Sequence, residues 1–154
     1  MSANEADYWL DPIQKAKTSE DNRSTFPIVQ KLLTQYELNK KLRIIQPDEA
    51  IVPGIKAIKA FGHTPGHVAF LFSQKNENLL LWGDVIHNER IQFTKPEWEV
   101  KVDTDPKQAV ISRKRLLKKS SHEHLLIGGA HLPHSGLGYV SCIGESFAWS
   151  PFLF

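Results

Sequence analysis

Three times along this chain an apolar run stops at a glycine or proline, and a side chain able to hold a metal stands at the break. The first segment is Ile58-Lys59-Ala60-Phe61-Gly62-His63-Thr64-Pro65-Gly66-His67. The second is Leu79-Leu80-Leu81-Trp82-Gly83-Asp84, and the third is Ile127-Gly128-Gly129-Ala130-His131-Leu132-Pro133-His134. A side chain at the end of a buried strand is held by the sheet and still faces its open rim. His63, Asp84 and His131 all have that placement.

The rest of the chain predicts the layers around those ends. Residues 3–10 read as a helix, with Tyr8, Trp9 and Leu10 apolar and Asp11-Pro12 closing it. Residues 13–23 are polar and read as loop. Ser24 or Thr25 caps a helix to about Lys40, with Ile28, Leu32, Leu33 and Tyr36 at helical spacing. Short strands are expected at 42–45, 51–52 and 55–60, with turns at Pro47-Asp48 and Pro53-Gly54. The runs 67–73 and 78–82 are continuously apolar, the pattern of interior strands covered on both faces, with 74–77 as their hairpin loop. The chain then reads as irregular to Pro96. Asp105 as N-cap and Pro106 at the first helical position start a second long helix, whose apolar face carries Ala109, Val110, Leu116 and Leu117. Strands at 124–127, 139–143 and 146–149 close the chain around a Gly/Pro-rich loop at 128–138. The alternation is that of a mixed α/β protein: residues 1–154 form part of one domain, half of an αββα sandwich.

Composition narrows the partners. Hydrophobic residues make up 41% and charged residues 23%, so a packed core is expected. A net charge of +2 argues against nucleic acid, and Arg113-Lys114-Arg115 with Lys118-Lys119 reads as a solvated helix face. The single cysteine, Cys142, lies in a predicted strand as a buried structural thiol. It fits a reducing, cytoplasmic compartment. No apolar run reaches the roughly 20 residues that span a bilayer, so no membrane is expected, and the first residues lack the pattern of a signal peptide.

Zinc takes imidazole nitrogen and carboxylate oxygen, and catalytic sites keep a position for water. A two-metal site also needs a bridging group, which a carboxylate supplies with its two oxygens. The three segments resemble the second half of a metallo-β-lactamase-fold hydrolase. Gly62-His63-Thr64-Pro65-Gly66-His67 looks like the family's Gly-His-Thr-x-Gly-His element, Gly83-Asp84 like its Gly-Asp element, and Ala130-His131-Leu132-Pro133 like its final histidine element. The resemblance implies that His63 binds one metal, His131 the other, and Asp84 both. It is narrower still at 82–87, Ile91-Gln92-Phe93, 102–106, 129–133 and 136–138, which resemble the methyl parathion hydrolase and lactonase-like branch. That branch places aromatics around its substrate pocket where Trp9 and Phe26 fall here. Taken alone, both residues read as core. His67 is expected to orient its loop and His87 to hydrogen-bond a metal ligand. His122 and His124 read as surface residues. His134, where the branch usually carries an aromatic, reads as a loop residue.

The family's other metal motif, His-x-His-x-Asp-His, occurs nowhere in the sequence. The resemblance implies two zinc ions sharing a hydroxide that attacks a small-molecule ester, lactone or phosphotriester. Three of that site's ligands are present and four are absent. The expectation is therefore a C-terminal portion, inactive alone, binding at most one zinc weakly and exposing an open half-sheet. Such a half-sheet is expected to pair with a second copy or with a chain carrying the missing half.

Overall fold

The computed structural model describes residues 1–18, 23–133 and 135–153. Among these residues seven strands form one sheet in chain order: β1 (Ala50–Val52), β2 (Ile55–Lys59), β3 (Val68–Gln74), β4 (Glu77–Gly83), β5 (Leu126–Gly129), β6 (Leu137–Ile143) and β7 (Ser146–Pro151). Every neighbouring pair is antiparallel except β4–β5, which is parallel. A parallel pair needs a crossover, and the long helix between these two strands supplies it.

Among the described residues the helices are α1 (Ala3–Leu10), α2 (Pro12–Lys17), α3 (Thr25–Leu38), α4 (Glu89–Gln92) and the crossover helix α5 (Pro106–His122). The start of α5 follows the sequence reading: the Asp105 carboxylate accepts the Gln108 amide at 3.0 Å, with Pro106 opening the first turn. The same Asp-Pro signal also starts a helix near the N-terminus. Asp11 ends α1 and caps α2 by accepting the Ile13 amide at 2.7 Å, so part of the expected 13–23 loop is helical. Residues 42–44 form no strand; only Ile45 makes an isolated bridge, to Ser2.

One face of the sheet carries the core. Ile58, Ala69, Leu80, Trp82 and Ile127 pack there against Leu116 and Leu117 of α5. The opposite face carries the register row Ala57–Phe70–Leu81–Gly128–Leu137. Leu81 in the middle of that row is 38% exposed. Thus β3 and β4 are covered on one face by this chain, not on both as their continuous apolar pattern suggests.

A second, smaller cluster joins α1 to α3 through Trp9, Phe26 and Leu33. Phe26, Val29 and Leu33, at i, i+3 and i+7, form the docked stripe. Ile28, Leu32 and Tyr36, which share the predicted periodicity, lie one step around the helix and are exposed.

Two polar expectations are corrected. Arg113 does not belong to a solvated face: it is 1% exposed and projects inward from α5. Cys142 is exposed, because β6 runs past the edge of the core after Val140. Among the described residues, no helix is long and apolar enough to cross a membrane.

Candidate metal centre

The loops leaving β2, β4 and β5 converge on one rim. Asp84 lies between two histidines: its Oδ1 accepts a hydrogen bond from His131 Nε2 at 2.9 Å, and its Oδ2 stands 3.8 Å from His63 Nε2. The three residues singled out in the sequence therefore meet, with one carboxylate oxygen turned toward each imidazole.

His63 is held in one orientation from behind. Its Nδ1 donates to Asp103 Oδ1 at 3.1 Å. An ionised carboxylate only accepts, so Nδ1 carries the hydrogen and the lone pair of the neutral ring falls on Nε2, the atom facing Asp84. That is how an outer carboxylate sets a metal-binding histidine. Asp103 also raises the His63 pKa, chiefly through this hydrogen bond; burial opposes the rise, and the charges of Asp84, Asp103 and Glu5 reinforce it.

Asp103 is itself buried, with its Oδ2 3.6 Å from Arg113 Nη2. That separation is an ion pair rather than a hydrogen bond. The guanidinium spends its hydrogens on carbonyls instead: Val85 at 2.9 Å, Pro96 at 3.1 Å and Trp98 at 2.9 Å. Arg113 thereby ties the loop after β4 to α5 and sets a cation behind the site.

His67 turns away from the rim. Its Nδ1 donates to the Ala60 carbonyl at 3.1 Å, spanning the loop that holds His63. Burial lowers its pKa, with the neighbouring His63 adding to the effect, so the neutral ring is favoured. Gly83 makes room for it. A side chain there would stand 2.7 Å from His67 Nε2, and the Gly83 backbone has φ +59°, the left-handed region that favours glycine.

His87 lies between the other two histidines, its ring centroid 4.9 Å from His63 and 5.1 Å from His131. Its backbone amide donates to Gln92 Oε1 at 2.7 Å, which pins the loop after Asp84. Its Nδ1 is buried with no hydrogen-bond partner among the described residues. Nδ1 therefore makes no hydrogen bond to a metal ligand, and the ring packs between His63 and His131. Burial is also the main reason its pKa is lowered.

The α1 helix supports the His63 loop. Glu5 Oε2 accepts the Thr64 hydroxyl at 2.6 Å and the Gly66 amide at 3.0 Å, while Glu5 Oε1 accepts Trp9 Nε1 at 2.7 Å. Trp9 and Phe26 are packed against each other with ring centroids 4.7 Å apart, and Phe26 is fully buried. Phe26 therefore presents no surface to a substrate here, and Trp9 reaches the site through Glu5. His122 and His124 are exposed, as expected. His134 lies outside the described residues.

Sequence reasoning gave no role to Glu5, Asp103 or Arg113. Asp103 lies in the stretch 102–106 that resembles the hydrolase branch, but no spacing rule marks it. Its partner His63 is 40 residues away.

The donors suit one divalent ion. His63, Asp84 and His87 form a group whose ligating atoms all lie within 4.8 Å of one another. Two imidazoles and a carboxylate are a common zinc donor set.

Comparison with solved structures places the architecture. The crystal structure of AbOPH, a hydrolase in the β-lactamase superfamily, superposes with a TM-score of 0.89 at 29% identity, over 99% of this chain and 54% of that one. AidC, a dizinc quorum-quenching lactonase, superposes with a TM-score of 0.86 at 29% identity, over 100% of this chain and 54% of that one. The chain has the fold of metallo-β-lactamase superfamily hydrolases over nearly all of its residues. A probable metal-dependent hydrolase from Staphylococcus aureus shares the superfamily fold, at TM-score 0.56 and 20% identity over 75% of this chain and 42% of that one. No family model matches the sequence, and no curated protein matches it. The chain spans about half the length of the two superfamily structures it matches over nearly all its residues.

Proposed function

We propose that these residues are the C-terminal portion of a single zinc-dependent hydrolase domain acting on small-molecule esters, lactones or phosphotriesters, of the methyl parathion hydrolase and lactonase-like branch. His63, Asp84 and His131 serve as its metal ligands. The observation that carries this reading is Asp84, with one oxygen toward His63 and the other toward His131. AidC, a dizinc lactonase, supports both the metal and the substrate class.

When bound, zinc lowers the pKa of water to roughly 7 and polarises the group under attack. The chain's own residues prepare for that chemistry. Asp103 keeps Nε2 of His63 free of hydrogen, Arg113 balances the Asp103 charge, and His67 and Glu5 hold the 62–67 loop rigid. Trp9 acts through Glu5, and Phe26 packs behind it.

The 154 residues alone are proposed to bind at most about one zinc, weakly, and to hydrolyse little. Two ions require more donors than His63, Asp84, His87 and His131 provide, since a catalytic zinc takes three protein ligands. The test is zinc titration of the parent, Asp84→Ala and His122→Ala, with lactone, aryl-ester and phosphotriester assays of the loaded parent. Asp84→Ala is expected to lose uptake and His122→Ala to keep it. Equal uptake in the parent and Asp84→Ala refutes the metal assignment, and turnover at a full-length relative's rate refutes the inactivity.

A second reading rests on the open sheet face. The row Phe70–Leu81–Leu137 is apolar and incompletely covered, which favours pairing with another chain, either a second copy or one carrying the complementary layer.

A further inference from the structure

We propose that Gln92 is a positioning residue of the metal rim: its buried amide fixes the loop that leaves Asp84 and, at the Trp98 carbonyl, joins that loop to the residues behind His63. The inference rests on the zinc-hydrolase reading and adds to it a residue that touches neither metal nor substrate.

The loop after β4 has little of its own to hold it. Its helix α4 is four residues long, and a helix that short is not stable by itself in water. The Asn88 side chain accepts the Ile91 amide at 3.1 Å, and the Gln92 amide closes the turn on the Asn88 carbonyl at 2.9 Å. The amides of His87 and Asn88 precede the turn and find no partner within it. Gln92 folds back to both: its Oε1 accepts from His87 at 2.7 Å and from Asn88 at 3.1 Å. Its Nε2 donates to the Trp98 carbonyl at 3.2 Å. Gln92 is fully buried, so these bonds form where water does not compete.

Those bonds close a short span around Asp84. On the strand side, the Gly83 carbonyl accepts the Ala130 amide at 3.2 Å. Beyond Asp84, Arg113 Nε holds the Val85 carbonyl at 2.9 Å and Gln92 holds the His87 amide. The Trp98 carbonyl carries the second link, because it accepts from Arg113 Nη1 at 2.9 Å as well as from Gln92. Arg113 faces Asp103, and Asp103 accepts from His63 Nδ1. One path of polar groups thus runs from the loop of Asp84 to the ring of His63, and Gln92 is its end on the Asp84 side. A metal site works only when its groups stay within about 0.5 Å of their productive places. The separation this path governs is the 3.8 Å from Asp84 Oδ2 to His63 Nε2.

The test uses the full 154-residue chain with Gln92→Met, Gln92→Glu and Leu125→Ala, each checked by circular dichroism for parent-like folding. Methionine keeps the length and removes all three bonds. Glutamate keeps the acceptor for His87 and Asn88, and it serves should the methionine variant fold poorly. Leu125 is a buried apolar residue just before β5, at the end opposite Gly129, and its truncation lowers stability without touching the path. Amide hydrogen exchange of the metal-free chain reads the clasp, and zinc affinity of the folded chain reads its effect on the rim. In Gln92→Met the His87 and Asn88 amides are expected to lose protection, and zinc affinity to fall about 10- to 100-fold, the scale of an outer-partner change. Gln92→Glu is expected to recover most of both. Leu125→Ala is expected to unfold at lower urea with its zinc affinity unchanged.

Unchanged zinc affinity in Gln92→Met, with the protection gone, overturns the inference and leaves the zinc reading standing. Protection kept in Gln92→Met overturns it as well, because the clasp then does not hold the loop. An equal loss of affinity in Leu125→Ala reduces the effect to stability and overturns it too. A parent that takes up no zinc removes both readings.

Discussion

Glu5 and Thr64 are joined by a 2.6 Å hydrogen bond across 59 residues of sequence, and through it the first helix holds the loop that carries His63. The same carboxylate also accepts the Gly66 amide and the Trp9 indole. Glu5→Ala leaves three donors without their acceptor and is expected to cost about 2 kcal/mol, the scale of hydrogen bonds to a charged group. Urea unfolding of the metal-free chain measures it, and zinc affinity should fall in parallel. Unchanged stability would show that the clasp is not maintained in solution.

Arg113 and Asp103 are both buried, so removing one partner strands the other's charge. Arg113→Met is expected to destabilise the chain by about 3–5 kcal/mol. Adding Asp103→Asn to it should cost less than the sum of the two single changes, because the stranded carboxylate is gone. A double-mutant cycle by urea denaturation reads this coupling, and strict additivity would exclude it.

Gly83 adjoins Asp84 and faces His67. Gly83→Ala forces a side chain into the left-handed region, at about 1–2 kcal/mol. It also drives a methyl group against His67 Nε2, 2.7 Å from where the carbon would stand. Both the melting temperature and zinc affinity are expected to drop. A fully parent-like Gly83→Ala would mean that the loop relaxes freely.

The histidines predict how the metal-free chain's stability varies with pH. His63 has a folded pKa above the ordinary 6.5. Its contribution is complete below about 6.5 and is lost as pH rises through the folded value. His67 and His87 have folded pKa values below 6.5. Their contribution is complete above about 6.5 and is lost as pH falls through those lower values. Together they place a histidine-dependent maximum near pH 6.5. Asp103→Asn should weaken the decline above it, because the hydrogen bond to Asp103 is the largest cause of the raised His63 pKa, as measured by denaturant midpoints across pH. Zinc uptake should weaken as pH falls, because only neutral imidazole coordinates.

Leu81 pairs with Phe70 in the open row of the sheet. If that row holds two chains together, Leu81→Lys should shift the protein toward monomer by light scattering without lowering its helix or strand content. A parent that is monomeric at every concentration tested would dispose of the pairing.

The local signals in this sequence are strong wherever the cause is local. The strand ends at Gly83 and Gly129 and the Asp105-Pro106 helix start are legible, because a backbone break or an N-cap acts within a few residues. The Asp11-Pro12 pair carries the same information in both directions, since one aspartate ends α1 and caps α2. What the sequence left undetermined depends on where distant segments come to rest. Arg113 reads as one of a run of cations, and only the carbonyls of 85–98 and the Asp103 carboxylate make its burial tolerable. Asp103 and Glu5 look like surface acids until the fold brings them to His63 and Thr64. Periodicity marked α3 as amphipathic but could not choose between the stripe through Phe26 and Leu33 and the one through Ile28 and Tyr36; contact with Trp9 chose. The type of each element follows from short-range sterics and hydrogen bonding, which neighbours in sequence control. Which polar group becomes a partner of the site follows from packing across 40 to 60 residues, and only the assembled tertiary structure supplies that.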